Sequence, residues 1–198
     1  MNRQEVKTLE VFLAAARPFG RQVSAEDLAA DIHSRVCSRL RDGIFLLAAD
    51  EAEAESFASD IEQRLADAGL IVLRTSAGKR GRCSAYAAFR SSLRRALENS
   101  VSNFDENAAY SEVFQALVRK YENDLVLLIE NADCFGSRGS DRKELMALKA
   151  ARDAVNLSPE MSESTAFVIG IGINRERLRA MVSSRDEPFF GADAMTIA

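Results

Sequence analysis

The residues that follow the first strongly apolar run are the first candidates for chemistry. The run 44–48 is followed by Ala-Asp-Glu-Ala-Glu-Ala-Glu-Ser. In parallel sheets ligands bind beyond the carboxyl ends of strands, so this turn is where a phosphate loop of the form G-x-x-x-x-G-K-S/T would lie. In that frame Ala49 and Ala54 take the glycine positions, Glu55 takes the lysine position and Ser56 takes the hydroxyl position. Of the required residue types, only the hydroxyl is kept.

A glutamate at the lysine position replaces attraction for a phosphate by repulsion. Two unit charges about 4 Å apart interact by ~4 kcal/mol at an effective dielectric near 20, so a change from Lys to Glu alters this energy by up to ~8 kcal/mol. Asp50, Glu51 and Glu53 lie in the same turn. The sequence therefore predicts that nucleotide does not bind here in the usual way. The acids also have an ordinary explanation, because they complement the positive end of a helix dipole.

Two later apolar runs also lead into polar residues. The run 125–129 is followed by Glu130 and Asn131, and the run 166–171 leads to Asn174. Carboxylate and amide groups at strand ends suit a nucleotide site, but the amide of Asn131 cannot accept a proton as a general base.

The three segments, in this order and spacing, resemble the AAA+/P-loop ATPase superfamily, especially bacterial ATPases of the transposition-accessory and secretion-associated kind. The sequence Gly-Ile-Phe-Leu-Leu at 43–47 is similar to the strand before their phosphate loop, and the resemblance covers roughly residues 30–198. It implies a degenerate Walker A motif at 49–56. It also implies a degenerate Walker B motif, with Glu130 at the magnesium-linked position and Asn131 at the position of the catalytic glutamate.

The same resemblance assigns two further residues. Asn174 stands at or near the sensor position on the strand 167–171, and Arg185 falls where such proteins often carry a trans-acting arginine finger. The departures from the family pattern fall mostly on catalytic positions and not on the scaffold. We therefore expect an ATPase-like scaffold that has lost hydrolysis.

The elements that must position these residues follow from hydrophobic spacing. Continuous apolar runs of strand length alternate with segments of helical period, which is typical of parallel strands covered by helices. The strand candidates are 44–48, 70–73, 125–129, 166–171 and, more weakly, 194–197; the helix candidates are 24–40, 52–68, the stripe Phe89, Leu93, Leu97, then 110–121, 141–156 and a short one at Leu178 and Val182. The sequence predicts a three-layer α/β/α sandwich with a mostly parallel five-stranded sheet, similar to the P-loop NTPases.

The predicted organisation has two parts. Residues 1–23 are expected to form an N-terminal helix and turn, and residues 24–198 a single AAA+-like α/β domain. The chain ends at Ala198, directly after the last strand candidate. AAA+ ATPases usually continue into a helical lid beyond this strand. Because the sequence stops at the strand, we expect no C-terminal helical lid here, and the lack of a lid would also disfavour hydrolysis.

Composition narrows the other classes of function. The chain has 198 residues, three cysteines, one histidine and a net charge of −4. His33 and Cys37 are one helical turn apart, but two ligands do not make a metal site. We therefore expect no metal site. Three cysteines, an odd number, do not make a disulfide framework, so we expect a reduced cytoplasmic setting. We expect no membrane partner, because no run of about 18 uncharged apolar residues occurs.

The small net charge hides two segments of opposite sign. Residues 50–67 carry a net charge of −6, whereas residues 74–97 carry +7 and no acid. The basic residues are Arg74, Lys79, Arg80, Arg82, Arg90, Arg94 and Arg95. This pattern indicates either a patch for phosphates of nucleic acid or an acidic partner, or the solvated face of one helix.

Four functions remain open from the sequence. The favoured one is a degenerate ATPase-like domain, without cofactor, that acts as a binding or regulatory module with a protein partner or a second copy of itself. The second is a divergent ATPase that binds ATP and magnesium at an unconventional phosphate site and uses Ser56, Glu130, Asn174 and Arg185. The third is a receiver-like regulatory domain, based on Asp50 and Glu51 after the first strand. The fourth is a nucleic-acid-binding adaptor that uses residues 74–97.

Overall fold

Six parallel strands form one sheet through the middle of the structure. The structure is a computed structural model, which describes residues 19–37, 43–78, 85–100, 109–136, 139–161 and 163–198. The strands are β1 (Gln22–Val23), β2 (Ile44–Leu47), β3 (Ile71–Ser76), β4 (Leu125–Glu130), β5 (Ala166–Gly172) and β6 (Asp193–Ile197). Their spatial order is β1-β6-β2-β5-β4-β3, and every neighbouring pair is parallel.

The central strands are buried on both faces, which explains their uninterrupted apolar sequences. All residues of β2 and β5 are buried, as are all those of β4 except its last, Glu130. The register pairs Ile44 with Ile169 and Leu125 with Ala166.

Helices cover both faces of the sheet. The helices are α1 (Ala25–Cys37), α2 (Glu51–Asp67), α3 (Ala85–Ser100), α4 (Tyr110–Tyr121), α5 (Gly139–Asn156) and α6 (Arg175–Ser183), with short 3-10 turns at Ala132–Cys134 and Pro159–Met161. The apolar stripes of α1 and α2 pack on one face, and those of α3 to α6 pack on the other. The predicted three-layer α/β/α arrangement is therefore confirmed.

Side-chain caps fix where three of the helices begin. Ser24 accepts a hydrogen bond from the backbone amide of Asp27 before α1, Asp50 caps α2 and Asn174 caps α6. Each of these residue types satisfies amides that have no partner inside the helix.

Gly170 in β5 allows β2 and β5 to pack tightly. A Cβ atom at this position would lie 2.5 Å from Cε1 of Phe45 and 3.1 Å from Cβ of Ala132. The ring of Phe45 fills this space and lies 5.3 Å from the ring of Phe189. Glycine at 170 is therefore a packing requirement between β2 and β5, beneath the ends of the strands that carry the candidate site.

The sheet corrects the prediction in one detail. The five predicted strands are all present, but a sixth strand, β1, pairs with β6 at the edge. It lies inside the segment 1–23, which was predicted to be a helix and turn; residues 1–18 lie outside the described residues. Two residues are too few for a hydrophobic period, so the sequence carried no signal for β1. The boundary between 23 and 24 stays a prediction.

The strand order also removes one alternative. A receiver-like domain has the flavodoxin-like order 2-1-3-4-5, in which the first strand is flanked by the second and the third. Here β2, the strand that would be first, is flanked by β5 and β6. The receiver-like hypothesis is therefore wrong. The local sequence around Asp50 could not reveal this, because it does not specify which strands pair.

Candidate functional site

The natural ligand crevice of this sheet lies between the carboxyl ends of β2 and β5. The chain leaves β2 toward α2 on one face and leaves β5 toward α6 on the opposite face. Ligands of open parallel sheets bind where neighbouring connections diverge in this way. At this point the backbone amide of Ala48 donates to the carbonyl of Gly172 at 2.9 Å, so the two strands stay paired to their ends.

The turn after β2 is short and closed by its own carboxylates. Only residues 48–50 separate β2 from α2. The Oδ1 atom of Asp50 accepts a hydrogen bond from the amide of Glu53 at 2.8 Å, and Oε2 of Glu53 accepts from the amide of Ala49 at 2.5 Å. This reciprocal arrangement is close to a capping box, in which two helix-start amides are satisfied by side chains. The two carboxylates therefore hold amides that a bound anion would use.

The residues of the predicted phosphate loop do not form a cradle. In a P-loop the motif lies between the strand and the helix, so its backbone amides can surround the phosphates. Here residues 51–56 are already helical. Ala49 is exposed in the turn, Ala54 faces the core, and Glu55 and Ser56 are exposed on α2. A triphosphate would meet carboxylates at this helix start, and the site does not fit it.

Glu130, at the end of β4, is held by an arginine from the neighbouring strand. The Nε and Nη2 atoms of Arg74 donate to Oε1 and Oε2 of Glu130 at 2.8 and 3.1 Å. The Nη1 atom of the same guanidinium donates to Oε2 of Glu62 and to Oγ of Ser59, both at 3.0 Å. The hydrogen bond to Glu130 raises the pKa of Arg74, although burial opposes the shift, so the cation is permanent. The sequence could not show this pair, since the partners are 56 residues apart.

Asn131 and Asn174 have structural partners. Asn131 adopts a left-handed backbone conformation, with φ of 54°, and its Nδ2 donates to Oγ of Ser76 at 3.1 Å. The side-chain oxygen of Asn174 accepts from the amide of Arg177 at 2.8 Å, which makes Asn174 the N-cap of α6. The sensor-like oxygen is thus already engaged inside the chain.

Asp133 is a buried residue of this region for which the sequence assigned no role. Its Oδ2 accepts from the amide of Asn174 at 2.9 Å, so it ties the turn after β4 to the start of α6. A Cβ atom at Gly172 would lie 2.4 Å from Oδ1 of Asp133, so glycine is required there for the carboxylate to fit. A signal was present in the sequence: a glycine at the end of a strand marks a close approach.

Arg177 is a second residue that the sequence did not single out. Its Nε donates to the carbonyl of Phe135 at 2.7 Å, and its Nη1 pairs with Oε1 of Glu187 at 2.7 Å. Arg185, the candidate arginine finger, lies exposed in the loop that Glu187 anchors. The structure therefore distinguishes Arg177, a partly buried arginine that holds the loop, from Arg185, an exposed arginine that lies in the loop.

The described part of the basic segment is split between the two faces of the sheet. Arg74 points to the face of α2, where it contacts Glu62, whereas α3 packs on the opposite face. On α3, Arg90 donates to the hydroxyl of Tyr86 at 3.0 Å and Arg94 pairs with Glu98 at 2.8 Å. Lys79, Arg80 and Arg82 lie outside the described residues. Among the described residues, Arg74 therefore does not share a face with the basic residues of α3.

Metal-binding and membrane-spanning features are absent from the described residues. Within these ranges, no three His, Cys, Asp or Glu side chains converge in a way that would hold a metal ion. None of the helices in the described parts of the chain has the length and apolar character needed to cross a membrane.

Three solved structures have a similar fold. They are the Walker-type ATPase PABY2304 of Pyrococcus abyssi, with 15% identity over 93% of this chain and a TM-score of 0.52; the ORC2 protein of Aeropyrum pernix in ADPNP–ADP complexes, with 13% identity over 88% and a TM-score of 0.58; and Drosophila ORC bound to AT-rich DNA and Cdc6, with 13% identity over 99% and a TM-score of 0.53. No family model and no curated protein sequence matches the chain.

The similarity is one of fold. The matched region spans 57%, 46% and 34% of the three solved chains, so this chain corresponds to about a third to just over half of their length. At these levels of identity the scaffold is comparable, and each functional residue has to be judged on its own geometry.

Proposed function

The chain has an AAA+/P-loop ATPase-like fold, and from this premise we propose that it is a non-catalytic ATPase-like domain that acts as a binding or regulatory module in a larger assembly. One observation carries the proposal. The turn between β2 and α2 is only three residues long; the carboxylate of Glu53 accepts a hydrogen bond from the amide of Ala49 in this turn, and the carboxylate of Asp50 accepts one from the amide of Glu53 in the first turn of α2.

Electrostatics at this turn oppose a phosphate. To reach the amide of Ala49, a phosphate would have to displace the carboxylate of Glu53, which would then remain nearby as an unpaired negative charge. At an effective dielectric near 20, each negative charge about 4 Å away opposes a phosphate charge by ~4 kcal/mol. Since ~1.4 kcal/mol is a factor of ten in affinity, one such carboxylate is worth two to three decades.

The residues at the ends of β4 and β5 do not supply hydrolysis. Phosphoryl transfer depends on positioned positive charge and an oriented nucleophile. Asn131 has no basic oxygen to accept a proton, and both oxygens of Glu130 are bound to Arg74. These observations support a domain that neither activates water nor holds magnesium in the family's manner.

A partner surface supports the role in an assembly. The loop 184–191 exposes Arg185 and leaves 54% of Phe190 accessible, while Glu187 and Phe189 of the same loop are buried. Arginine and aromatic side chains contribute most to protein interfaces when a rigid element presents them. We propose a protein partner or a second copy of the chain as the ligand of this loop.

The test is direct nucleotide binding. Isothermal titration of the chain with MgATP is expected to give no heat of binding up to millimolar ATP, and 1 mM MgATP is expected to leave the melting temperature unchanged. A site with a Kd of about 10 μM would add about 2.7 kcal/mol at that concentration and raise the melting temperature.

The second candidate, a divergent ATPase, predicts the opposite result. A micromolar affinity for ATP that is lost in Ser56→Ala and retained in Ser34→Ala, a matched change on the exposed side of α1, would overturn the non-catalytic proposal. Retained affinity in both variants would place the nucleotide elsewhere on the chain and would equally contradict the proposal.

A nucleic-acid adaptor remains a third candidate, based on the +7 charge of residues 74–97 and on the similarity in fold to Drosophila ORC bound to AT-rich DNA and Cdc6. Such binding would weaken steeply as salt increases, because phosphate contacts release counterions. Fluorescence anisotropy with duplex DNA at 50 and 200 mM salt tests it. The double change Arg80→Ala and Arg82→Ala is expected to remove the binding if this candidate is correct.

A further inference from the structure

The guanidinium of Arg74 is surrounded by oxygen atoms from three side chains. Both carboxylate oxygens of Glu130, one oxygen of Glu62 and the hydroxyl of Ser59 lie 2.8–3.1 Å from its nitrogens. The oxygens come from two different elements, β4 and α2, and Arg74 itself comes from β3. The contacts join these three elements at the face of the sheet that α2 covers.

The surroundings distinguish this arrangement from an ordinary surface ion pair. The side chains of Arg74 and Glu130 are only 24% and 20% exposed. The exposed pair Arg64–Asp60, on the same helix as Glu62, has side chains that are 41% and 51% exposed and consists of one contact at 2.7 Å. Exposed pairs of that kind add little, whereas a partly buried guanidinium with a bidentate carboxylate is both strong and geometrically specific.

The same oxygen set is of the type that hard divalent cations use. Magnesium and manganese prefer carboxylate and hydroxyl oxygens, and magnesium proteins often supply only one or two carboxylates. The fold implies a magnesium ion near the end of β4, yet a positive charge supplied by the chain already occupies the oxygens of Glu130. The residues therefore do not fit a metal while Arg74 is in place.

We propose that Arg74 is a built-in replacement for a divalent cation: its guanidinium pairs with both Glu130 and Glu62, joins α2 to β3 and β4, and keeps metal ions out of this oxygen site. The inference deepens the proposed function and rests on it, because the proposed function holds that no magnesium–nucleotide binds to this domain.

The experiment removes the resident cation and measures metal binding without nucleotide. Electron paramagnetic resonance of free Mn²⁺ is recorded for the wild type, Arg74→Ala, Arg74→Gln and Arg74→Lys. The wild type and Arg74→Lys are expected to leave Mn²⁺ free at millimolar concentration. Arg74→Ala and Arg74→Gln are expected to bind it at least tenfold more tightly than the wild type, because the unpaired carboxylates face a cation-sized space.

Two controls identify the site. Arg64→Ala removes an arginine from an exposed pair on α2 and is expected to behave as the wild type. Adding Glu130→Gln to Arg74→Ala is expected to abolish the gained Mn²⁺ binding. Should Arg74→Ala lose its helical circular dichroism, millimolar Mg²⁺ is expected to restore it.

Several results would overturn the inference. These are a folded Arg74→Ala and a folded Arg74→Gln that bind no more Mn²⁺ than the wild type, a wild type that already binds Mn²⁺ at Glu130, or an unfolded Arg74→Ala that magnesium does not rescue. ATP binding by the wild type is a separate outcome, which contradicts the proposed function and leaves the Mn²⁺ comparison intact.

Discussion

At the scale of single residues, Glu144 is a buried carboxylate with a raised pKa. It lies on α5, its side chain is 8% exposed, and Nε of Arg90 is 4.0 Å from its Oε1. The hydroxyl of Tyr110 donates a hydrogen bond to the same oxygen. Burial raises the pKa of Glu144, and the hydrogen bond from Tyr110 and the charge of Arg90 only partly oppose this shift. Burial also raises the pKa of Tyr110, so the phenol remains a donor.

This shift has a consequence for stability. The folded state holds the proton of Glu144 more tightly than the unfolded state, so the wild type is expected to lose stability relative to Glu144→Gln as the pH rises from the ordinary carboxyl pKa, about 4.3, through the raised value. A difference of one pKa unit between the two states corresponds to about 1.4 kcal/mol. Urea unfolding between about pH 4 and pH 7 measures it.

The matched control is Glu163→Gln, which neutralises an exposed carboxylate in the segment between α5 and β5. A difference in free energy of unfolding between the wild type and Glu144→Gln that stays constant across this pH range would contradict the prediction. A difference that grows in favour of the wild type with rising pH would reverse its sign.

At the scale of elements, a partly buried ion pair fastens the loop after α6. Arg177 lies in the first turn of α6, and Glu187 lies in the loop, with side chains 15% and 7% exposed. Within the described residues, Nη2 of Arg177 and Oε2 of Glu187 have no hydrogen-bond partner. Buried pairs with unsatisfied atoms contribute little net stability, but removing one partner leaves a buried charge uncompensated.

The pair therefore predicts strong non-additivity. Arg177→Met is expected to lower the free energy of unfolding by about 3–5 kcal/mol, because Glu187 remains buried and unpaired. The double change Arg177→Met and Glu187→Leu is expected to recover most of that loss. Urea denaturation in a double-mutant cycle measures the coupling.

Arg179→Met serves as the control, since Arg179 is an exposed residue of the same helix. It is expected to change the free energy of unfolding by less than about 0.5 kcal/mol. Single changes at 177 and 187 whose effects simply add would show that the two side chains are not coupled, and the loop would then be held by its apolar residues alone.

At the scale of the whole molecule, the sheet divides both the core and the charge. Two apolar clusters lie on its opposite faces, one under α1 and α2 and the other under α3 to α6. The acidic segment 50–67 contains α2, and the basic segment 74–97 contains most of α3. These two helices pack on opposite faces of the sheet. The net charge of −4 therefore describes neither face.

The sheet also predicts a gradient of local stability. Amides of β2, β4 and β5 lie in the centre and are buried on both faces, so they are expected to exchange with solvent most slowly. Amides of β1, a two-residue strand at the edge, are expected to exchange earlier. Hydrogen–deuterium exchange with mass spectrometry resolves the two, and equal exchange of β1 and β4 would contradict this picture.

Local sequence was sufficient to locate the elements and to identify the residue types at the candidate site. Apolar runs and helical stripes located the five longer strands and the six helices, because burial of one face or of both faces leaves a local period. That position 55 is a glutamate and position 131 an asparagine was also evident from the sequence, since residue type alone decides whether a side chain can carry a positive charge or accept a proton.

Strand pairing and the meeting of distant charges required the three-dimensional fold. Strand order excluded the receiver-like alternative, and the start of α2 at Glu51 placed Glu55 and Ser56 on a helix and not in a loop. The contact of Arg74 with Glu130 joins residues 56 positions apart. Such contacts leave no period in the sequence, because they depend on the packing of neighbouring strands and helices, and they determine here that the carboxylates of Glu53 and Glu130 are already bound within the chain.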